Sequence, residues 1–369
     1  MWVYYFIFLV IALSAFMTGK NRQCAVMGFL AFAILYILRA RIGTDYPGYK
    51  IYYESMNGLE DLATGGFELG YNMLALIFRE IGLPFQSLCV FLSIIIIFFY
   101  WKSMKKLCRK KLEFGIIMLL ALYYFFYPTL EILRQGTAIT LFLYSLTFLL
   151  DENPKMRKNN VRIYFLLNFA GVLFHRTAIM AFIFYFFQEK RVMKIGIILF
   201  LIFFALMQPM LLQFLGWFPT FYNRYYHYVW AKNASKKEVS DLSLKLIEYV
   251  IVLLILLRFS LKERKIAIRE EEYVLGSDNR NLDSIETLSR NLVELGLIVQ
   301  FFVSTAISAA YRLVYYCDLG IMFFYIVIHQ RLRREERLLY IVVLITYVGV
   351  RLGRIFPFDN NLFTYHFLW

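Results

Sequence analysis

The chain has 369 residues, of which 60% are hydrophobic, 19% aromatic and 18% charged, with a mean hydropathy of +0.59. A water-soluble domain is about half apolar and roughly a quarter charged, so this composition excludes an ordinary soluble fold. The formal net charge of +14 would suggest nucleic acid in a soluble protein, but no soluble basic domain is present to hold one; in a membrane protein such an excess sits in the loops on the cytoplasmic side.

Apolar runs between charge clusters predict about twelve transmembrane helices, each matched to a hydrocarbon layer of ~30 Å. They lie near 2–17, 24–38, 85–101, 114–127, 132–150, 161–174, 177–188, 192–208, 244–258, 291–309, 313–328 and 338–351. Met1 leads directly into WVYYFIFLV, without a basic leader or a small-residue cleavage site. The first run therefore reads as a span and not as a secretory signal. The segment 39–84 is too long for a turn. Its second half puts Leu69, Met73, Leu76 and Ile77 on one helical face, the pattern of an interfacial or re-entrant helix. A second long segment, 209–243, is dense in tyrosine, whereas 259–290 is charged, has no aromatic beyond Phe259 at its edge and Tyr273, and reads as a solvated connector.

Alternating spans put Lys20/Arg22, Lys102–Lys111, Lys155–Arg162, Lys190–Lys194, Arg258–Arg269 and Arg331–Arg337 on one side. The positive-inside rule makes that side the cytoplasm, so 39–84 and 209–243 face outward, as do both termini. Residues 1–369 form a single polytopic domain on this reading, with no internal repeat of the kind many transporters carry.

The informative residues are the cations that resist this bias. On the outer side they are mostly arginine: Arg39, Arg41, Arg79, Arg134, Arg176, Arg224, Arg312, Arg351 and Arg354. The planar guanidinium fork suits bidentate contact with phosphate oxygens. Arg134, His175, Arg176 and Arg312 lie inside otherwise apolar text, where ionisable groups are costly and usually face a polar cavity. Each has a plainer reading. Arg134 can pair with Glu131 on its own helical face, Arg176 and Arg312 can snorkel to headgroups, and His175 can be a buried hydrogen-bonded histidine as well as a base. Arg79, Arg351 and Arg354 read as snorkelling residues. The outer tyrosines suit either an interfacial aromatic belt or stacking on sugar rings.

Metal catalysis finds little support, because no DxD pair occurs and the outer carboxylates, Asp45, Glu68 and Glu131 among them, are dispersed. The charge of a departing diphosphate would then be met by arginines. Cys24, Cys89, Cys108 and Cys317 occur singly, which gives no zinc or redox spacing. Walker A, HExxH and GxSxG motifs do not occur.

Five short motifs follow one another on the outer side: RIGTDY at 41–46, GFELGY at 66–71, LRQGTA at 133–138, FHRTA at 174–178 and YRLVYY at 311–316. Their order resembles the EpsG family of bacterial membrane proteins, relatives of Wzy-type polysaccharide polymerases. The resemblance covers roughly residues 1–330 and leaves the tail RIFPFDNNLFTYHFLW unmatched. It implies an all-α integral membrane protein of GT-C-like architecture. It also implies a metal-independent glycosyltransferase, without cofactor, in the bacterial cytoplasmic membrane. Such an enzyme joins undecaprenyl-pyrophosphate-linked oligosaccharide units at the outer face, alongside a flippase and a chain-length regulator, to make capsule, exopolysaccharide or O-antigen.

On that reading Arg134, Arg176 and Arg312 hold diphosphate and stabilise the leaving group. His175 is the first candidate for the base, with Asp45 and Glu68 behind it, and Asp45 can instead orient Arg41. Arg41, Asp45, Tyr46, Glu68, Tyr71, Gln135, Arg224, Tyr311 and Tyr315 are the expected substrate-binding residues. A flippase for the same lipid-linked sugars, or a ligase for finished polymer, are the competing readings; a flippase would be expected to have short loops and repeat symmetry.

Overall fold

The computed structural model describes residues 2–17, 22–43, 45–64, 66–108, 111–150, 155–188, 247–256, 278–306, 311–332, 336–355 and 366–367. Within these the chain is helical almost throughout and divides into two compact units, one of 1–182 with 328–369 and one of 183–327. The expected span at 192–208, the tyrosine-rich segment 209–243 and Arg224 lie outside the described residues.

The first unit opens with α1 (Trp2–Met17) packed on α2 (Arg22–Ile37). A two-residue strand β1 (Arg39–Ala40) follows and pairs antiparallel with β2 (His366–Phe367), so the C-terminal tail is tied back to the exit of α2. The segment 39–84 then makes three helices, α3 (Tyr46–Ser55), α4 (Glu60–Thr64) and α5 (Leu69–Glu80). The long α6 (Phe85–Leu107) ends in a lysine-rich turn, and α7 (Lys111–Ala121) packs against α1.

A five-residue π-helical stretch, Leu122–Phe126, precedes α8 (Tyr127–Glu131). Pro128 explains it: proline has no N–H to continue the ladder, and its ring crowds the carbonyl four residues back. α9 (Leu133–Leu149) restarts after Ile132 leaves helical geometry (φ −112°, ψ 61°) and is buried between α6 and α10 (Arg157–Phe174). α11 (Ile179–Phe187) follows a 3₁₀ turn at Arg176–Ala178. In the second unit lie α12 (Ile247–Leu256), α13 (Asp278–Ala306) and most of α14 (Tyr311–Arg331); α15 (Glu336–Ile355) returns to the first unit and packs on α7.

α13 begins inside the charged stretch 259–290. Its stripe of Ile285, Leu288 and Leu292 is buried, and helical periodicity rather than charge content decides the conformation there.

Many helix faces are inside out by the standards of a soluble protein. Phe6, Leu9 and Leu13 on α1, Phe91, Ile94 and Phe98 on α6, and Leu339, Val343 and Val350 on α15 all stand exposed. Contiguous apolar faces of this extent are rare in water and suit a lipid environment. Phe85–Leu107 and Arg312–Arg331 are long and apolar enough to cross a membrane, and several shorter apolar helices accompany them. The described architecture is compatible with an all-α membrane protein. On α5 the apolar stripe Leu69, Met73 and Ile77 is exposed, while Tyr71, Asn72, Ala75 and Leu76 turn inward. Leu76 therefore leaves the face the sequence pattern placed it on.

Candidate functional site

The break before α9 sets Arg134 in that helix's first turn. The chain folds back tightly there because residue 136 is glycine: a Cβ on it would stand 2.9 Å from Thr129 side-chain carbons. The Arg134 side chain is 8% exposed. Its guanidinium carbon lies 4.0 Å from the Phe67 ring centroid, 5.0 Å from Tyr49 and 5.5 Å from Tyr71. Three aromatic faces thus surround a desolvated cation, a setting in which each cation–π contact is at its strongest. Its Nη1 donates to Oε2 of Glu68.

Glu68 sits at the N-cap of α5 but makes no side-chain capping bond to that helix, which leaves both carboxylate oxygens for partners elsewhere. Oε1 accepts from the Arg176 backbone N–H at 3.1 Å and from Arg176 Nε at 3.4 Å. Gly70 makes this approach possible, since a Cβ there would lie 2.8 Å from the Leu173 carbonyl oxygen at the end of α10. One carboxylate therefore bridges two arginines that the chain separates by 42 positions. Burial pushes the Glu68 carboxyl up, but the Arg134 charge and the Arg176 N–H outweigh it and hold the group below the usual carboxylate range. Among the described side chains, these two guanidinium groups against one carboxylate leave the cluster net positive. Arg134 is enclosed, whereas Arg176 is 69% exposed, and among the described residues its two Nη groups have no protein partner. An anion reaching the cluster meets Arg176 first.

His175 occupies the extended residue between α10 and the 3₁₀ turn (φ −156°, ψ 124°). Its Nδ1 accepts from the Thr177 backbone N–H at 3.3 Å and lies 2.6 Å from Thr177 Oγ1. A backbone N–H can only donate, so the neutral ring carries its proton on Nε2.

The other expected residues fall in three places. Tyr71, 1% exposed, walls the Arg134 cage and offers no open ring face; Gln135 is buried in α9. Arg41 is exposed at the exit of β1, and Asp45 stands at the N-cap position of α3 without a side-chain capping bond and accepts from the Tyr49 hydroxyl at 3.2 Å. Tyr46 donates to Gln86 Oε1 at 3.1 Å. Tyr311, Arg312 and Tyr315 open α14 in the second unit.

Arg79 and Arg351 are held by protein groups: Arg79 donates to the Tyr53 carbonyl at 2.8 Å and Arg351 to the Tyr347 hydroxyl at 3.2 Å. Among the described side chains Arg134 pairs with Glu68, from another motif altogether; the side chain of Glu131, its expected partner, lies outside them. Sequence reasoning missed Phe67 and Tyr49 as the walls of the cage. The phenylalanine of GFELGY carried that signal, since it lies one residue from Glu68.

The chain matches the model of the EpsG family over residues 23–367, nearly its whole length. The match includes the C-terminal tail, which the five motifs do not reach and which β2 ties to β1. No curated protein and no solved structure matches it. Two of the five motifs converge on Glu68 through GFELGY, so one residue joins three elements of the series, and the match extends over all of them: the chain belongs to the EpsG family, whose members are Wzy-like polysaccharide polymerases.

Proposed function

We propose that this protein polymerises lipid-linked oligosaccharides at the outer face of the bacterial cytoplasmic membrane, in a GT-C-like body of about twelve spans. The substrates are repeat units on undecaprenyl pyrophosphate. A flippase would supply them and a chain-length regulator would set the number of cycles. The observation that carries the reading is the net-positive cluster in which Glu68 holds enclosed Arg134 and open Arg176 together. Preorganised guanidinium groups meet the charge that develops on a departing diphosphate, and in a site sheltered from water they do so without reorganising.

In the transfer, the bond between the anomeric carbon of the growing chain and its diphosphate breaks. The acceptor hydroxyl oxygen forms the new glycosidic bond, and polyprenyl diphosphate leaves with the bonding pair, its oxygens on Arg176 and Arg134. Glu68, engaged by both arginines, positions them. His175 presents Nε2–H as a donor. The hydroxyl proton goes to Asp45, the remaining candidate base, whose carboxylate is oriented by the Tyr49 hydroxyl. Arg312 and Arg224 are proposed as further diphosphate-binding residues, and Tyr311 and Tyr315 as further substrate-binding residues.

The test is reconstitution. Purified full-length protein in nanodiscs, given one defined lipid-linked unit, should yield a ladder of polymer, and Arg176→Gln should reduce its rate by at least about a hundredfold, the scale of losing one charge-stabilising donor. An unchanged ladder in that variant would remove the assignment.

A further inference from the structure

A second pair of arginines lies at the exit of α2. Arg39 is 5% exposed, its guanidinium carbon stands 4.0 Å over the Tyr36 ring, and its Nη2 donates to the Thr129 carbonyl at 3.4 Å. Its Nη1 is buried with no partner among the described residues. Arg39 and Arg41 both line a small hollow, open to solvent on one side, between β1, α3, the start of α6 and the α8–α9 break at Leu130 and Leu133. Its described lining holds these two cations and no carboxylate.

The hollow is a built one. The Arg39 carbonyl accepts from Gln86 Nε2 at 2.8 Å, and Gln86 Oε1 in turn accepts from the Tyr46 hydroxyl at 3.1 Å. β1 is pinned by its pairing with β2. Arg41 has φ +54°, a left-handed conformation that side chains other than glycine adopt at a cost. A buried cationic donor without an acceptor is likewise unfavourable until an acceptor arrives. Both features are offset if an anion occupies the hollow.

We infer that this hollow is a second phosphoryl-anion site, with Arg39 and Arg41 as its binding residues. Tyr49 lines it and also stands 5.0 Å from the Arg134 guanidinium, so one aromatic ring separates the two cationic centres. The shared chemistry is a phosphate or diphosphate group. That its source is the second lipid-linked unit, the acceptor to the Arg134–Arg176 donor, rests on the polymerase reading; the anion site itself does not.

Inorganic pyrophosphate titrated calorimetrically into the full-length protein in phosphatidylcholine nanodiscs tests the proposal. Wild type should show two binding events. Arg41→Gln, a change at an exposed side chain that leaves the packing alone, should weaken one of them about tenfold, the scale of one charge-assisted hydrogen bond. Arg39→Lys keeps the charge but loses the fork and should weaken the same event. Arg176→Gln should weaken the other event only. Two events unaltered by Arg41→Gln and Arg39→Lys would overturn the site.

Competition by polyprenyl diphosphate assigns the occupant to lipid-linked substrate. Loss of the event on adding phosphatidylglycerol, without such competition, assigns it to a membrane headgroup and overturns the acceptor role. The Arg176 variant's polymer ladder decides the polymerase reading separately, because the Arg41 titration is read without turnover.

Discussion

Glu68 and Arg134 are 66 residues apart in the chain, yet the carboxylate of the first accepts a hydrogen bond from the guanidinium of the second, with the two side chains 11% and 8% exposed. A pair this enclosed is costly to break from one side, because the survivor keeps its charge in a poorly solvated place. Removing one partner of such a pair typically destabilises by about 3–5 kcal/mol. Glu68→Gln should therefore lower the melting temperature clearly. Glu68→Gln combined with Arg134→Met should recover part of the loss, giving a coupling of about 1–3 kcal/mol in a double-mutant cycle, while polymer synthesis stays absent. Additive losses would mean that the two residues do not act as a pair.

The pH dependence of stability follows from two groups in the 39–84 segment. Glu68 is held below the usual carboxylate range, so its contribution is complete above the ordinary carboxylate value of about 4.3 and declines only as the pH falls through its lowered native one. Burial pushes the Tyr49 hydroxyl up to about 12. Its contribution is complete below the ordinary tyrosine value of about 10 and is lost as the pH rises through the native one. Melting temperature should be flat between about pH 5 and pH 9 with respect to both groups. Glu68→Gln should blunt the acid limb and Tyr49→Phe the alkaline limb, each measured against wild type.

The proton on His175 Nε2 makes a kinetic prediction. A histidine base loses function as the pH drops through its titration, near 6.5 when unperturbed. With Nδ1 committed to the Thr177 N–H, turnover in the reconstituted assay should show no such limb that depends on His175. His175→Gln, which retains a donor, should keep partial activity, whereas Asp45→Asn should abolish it. A limb near pH 6.5 that vanishes in His175→Gln would make His175 the base and displace Asp45.

How much of this was legible beforehand depended on whether the determinant was local. Apolar run length locates α1, α2 and α14 to within a few residues and the start of α6, whose lysine-rich last turn runs six residues beyond the apolar stretch, because hydrophobicity along one segment suffices to decide a helix. The motifs around Arg134, Arg176 and Glu68 were each visible as polar residues out of place in apolar or outer text. Their convergence was not, since it depends on the helix break at Ile132, the turn at His175 and the contact at Gly70, which no periodicity encodes. The nearest candidate partner for Arg134 in the sequence is Glu131, three residues back, whose side chain lies outside the described residues; the partner the tertiary fold brings in is Glu68, 66 positions away. Tyr71 illustrates the same limit: a tyrosine in an outer segment looks like a sugar platform until the fold buries it against a cation. Arg39, adjacent to a span end, reads as one of several outer arginines, and only the fold gives it a buried nitrogen without an acceptor among the described residues.

Gly70 offers the sharpest separation of geometry from chemistry. It carries no functional group, yet a Cβ on it would meet the Leu173 carbonyl oxygen and Cβ at 2.8 Å, closer than side chains tolerate. Gly70→Ala must therefore push α5 away from the end of α10. The shift would act on the Arg176–Glu68 contact, whose bonds at 3.1 and 3.4 Å have little to spare. Overpacking of this kind costs about 1–3 kcal/mol, within what the fold can survive, but a displacement near 1 Å at a positioned group can cost about a hundredfold in rate. Polymer synthesis should thus fall far more than the melting temperature suggests, and the loss should appear in kcat more than in KM for the lipid-linked substrate. Gly48→Ala is the control, because a Cβ there meets nothing within 4 Å; it should leave both quantities unchanged. Equal activity in the two variants would show that the distance from Glu68 to Arg176 does not govern turnover.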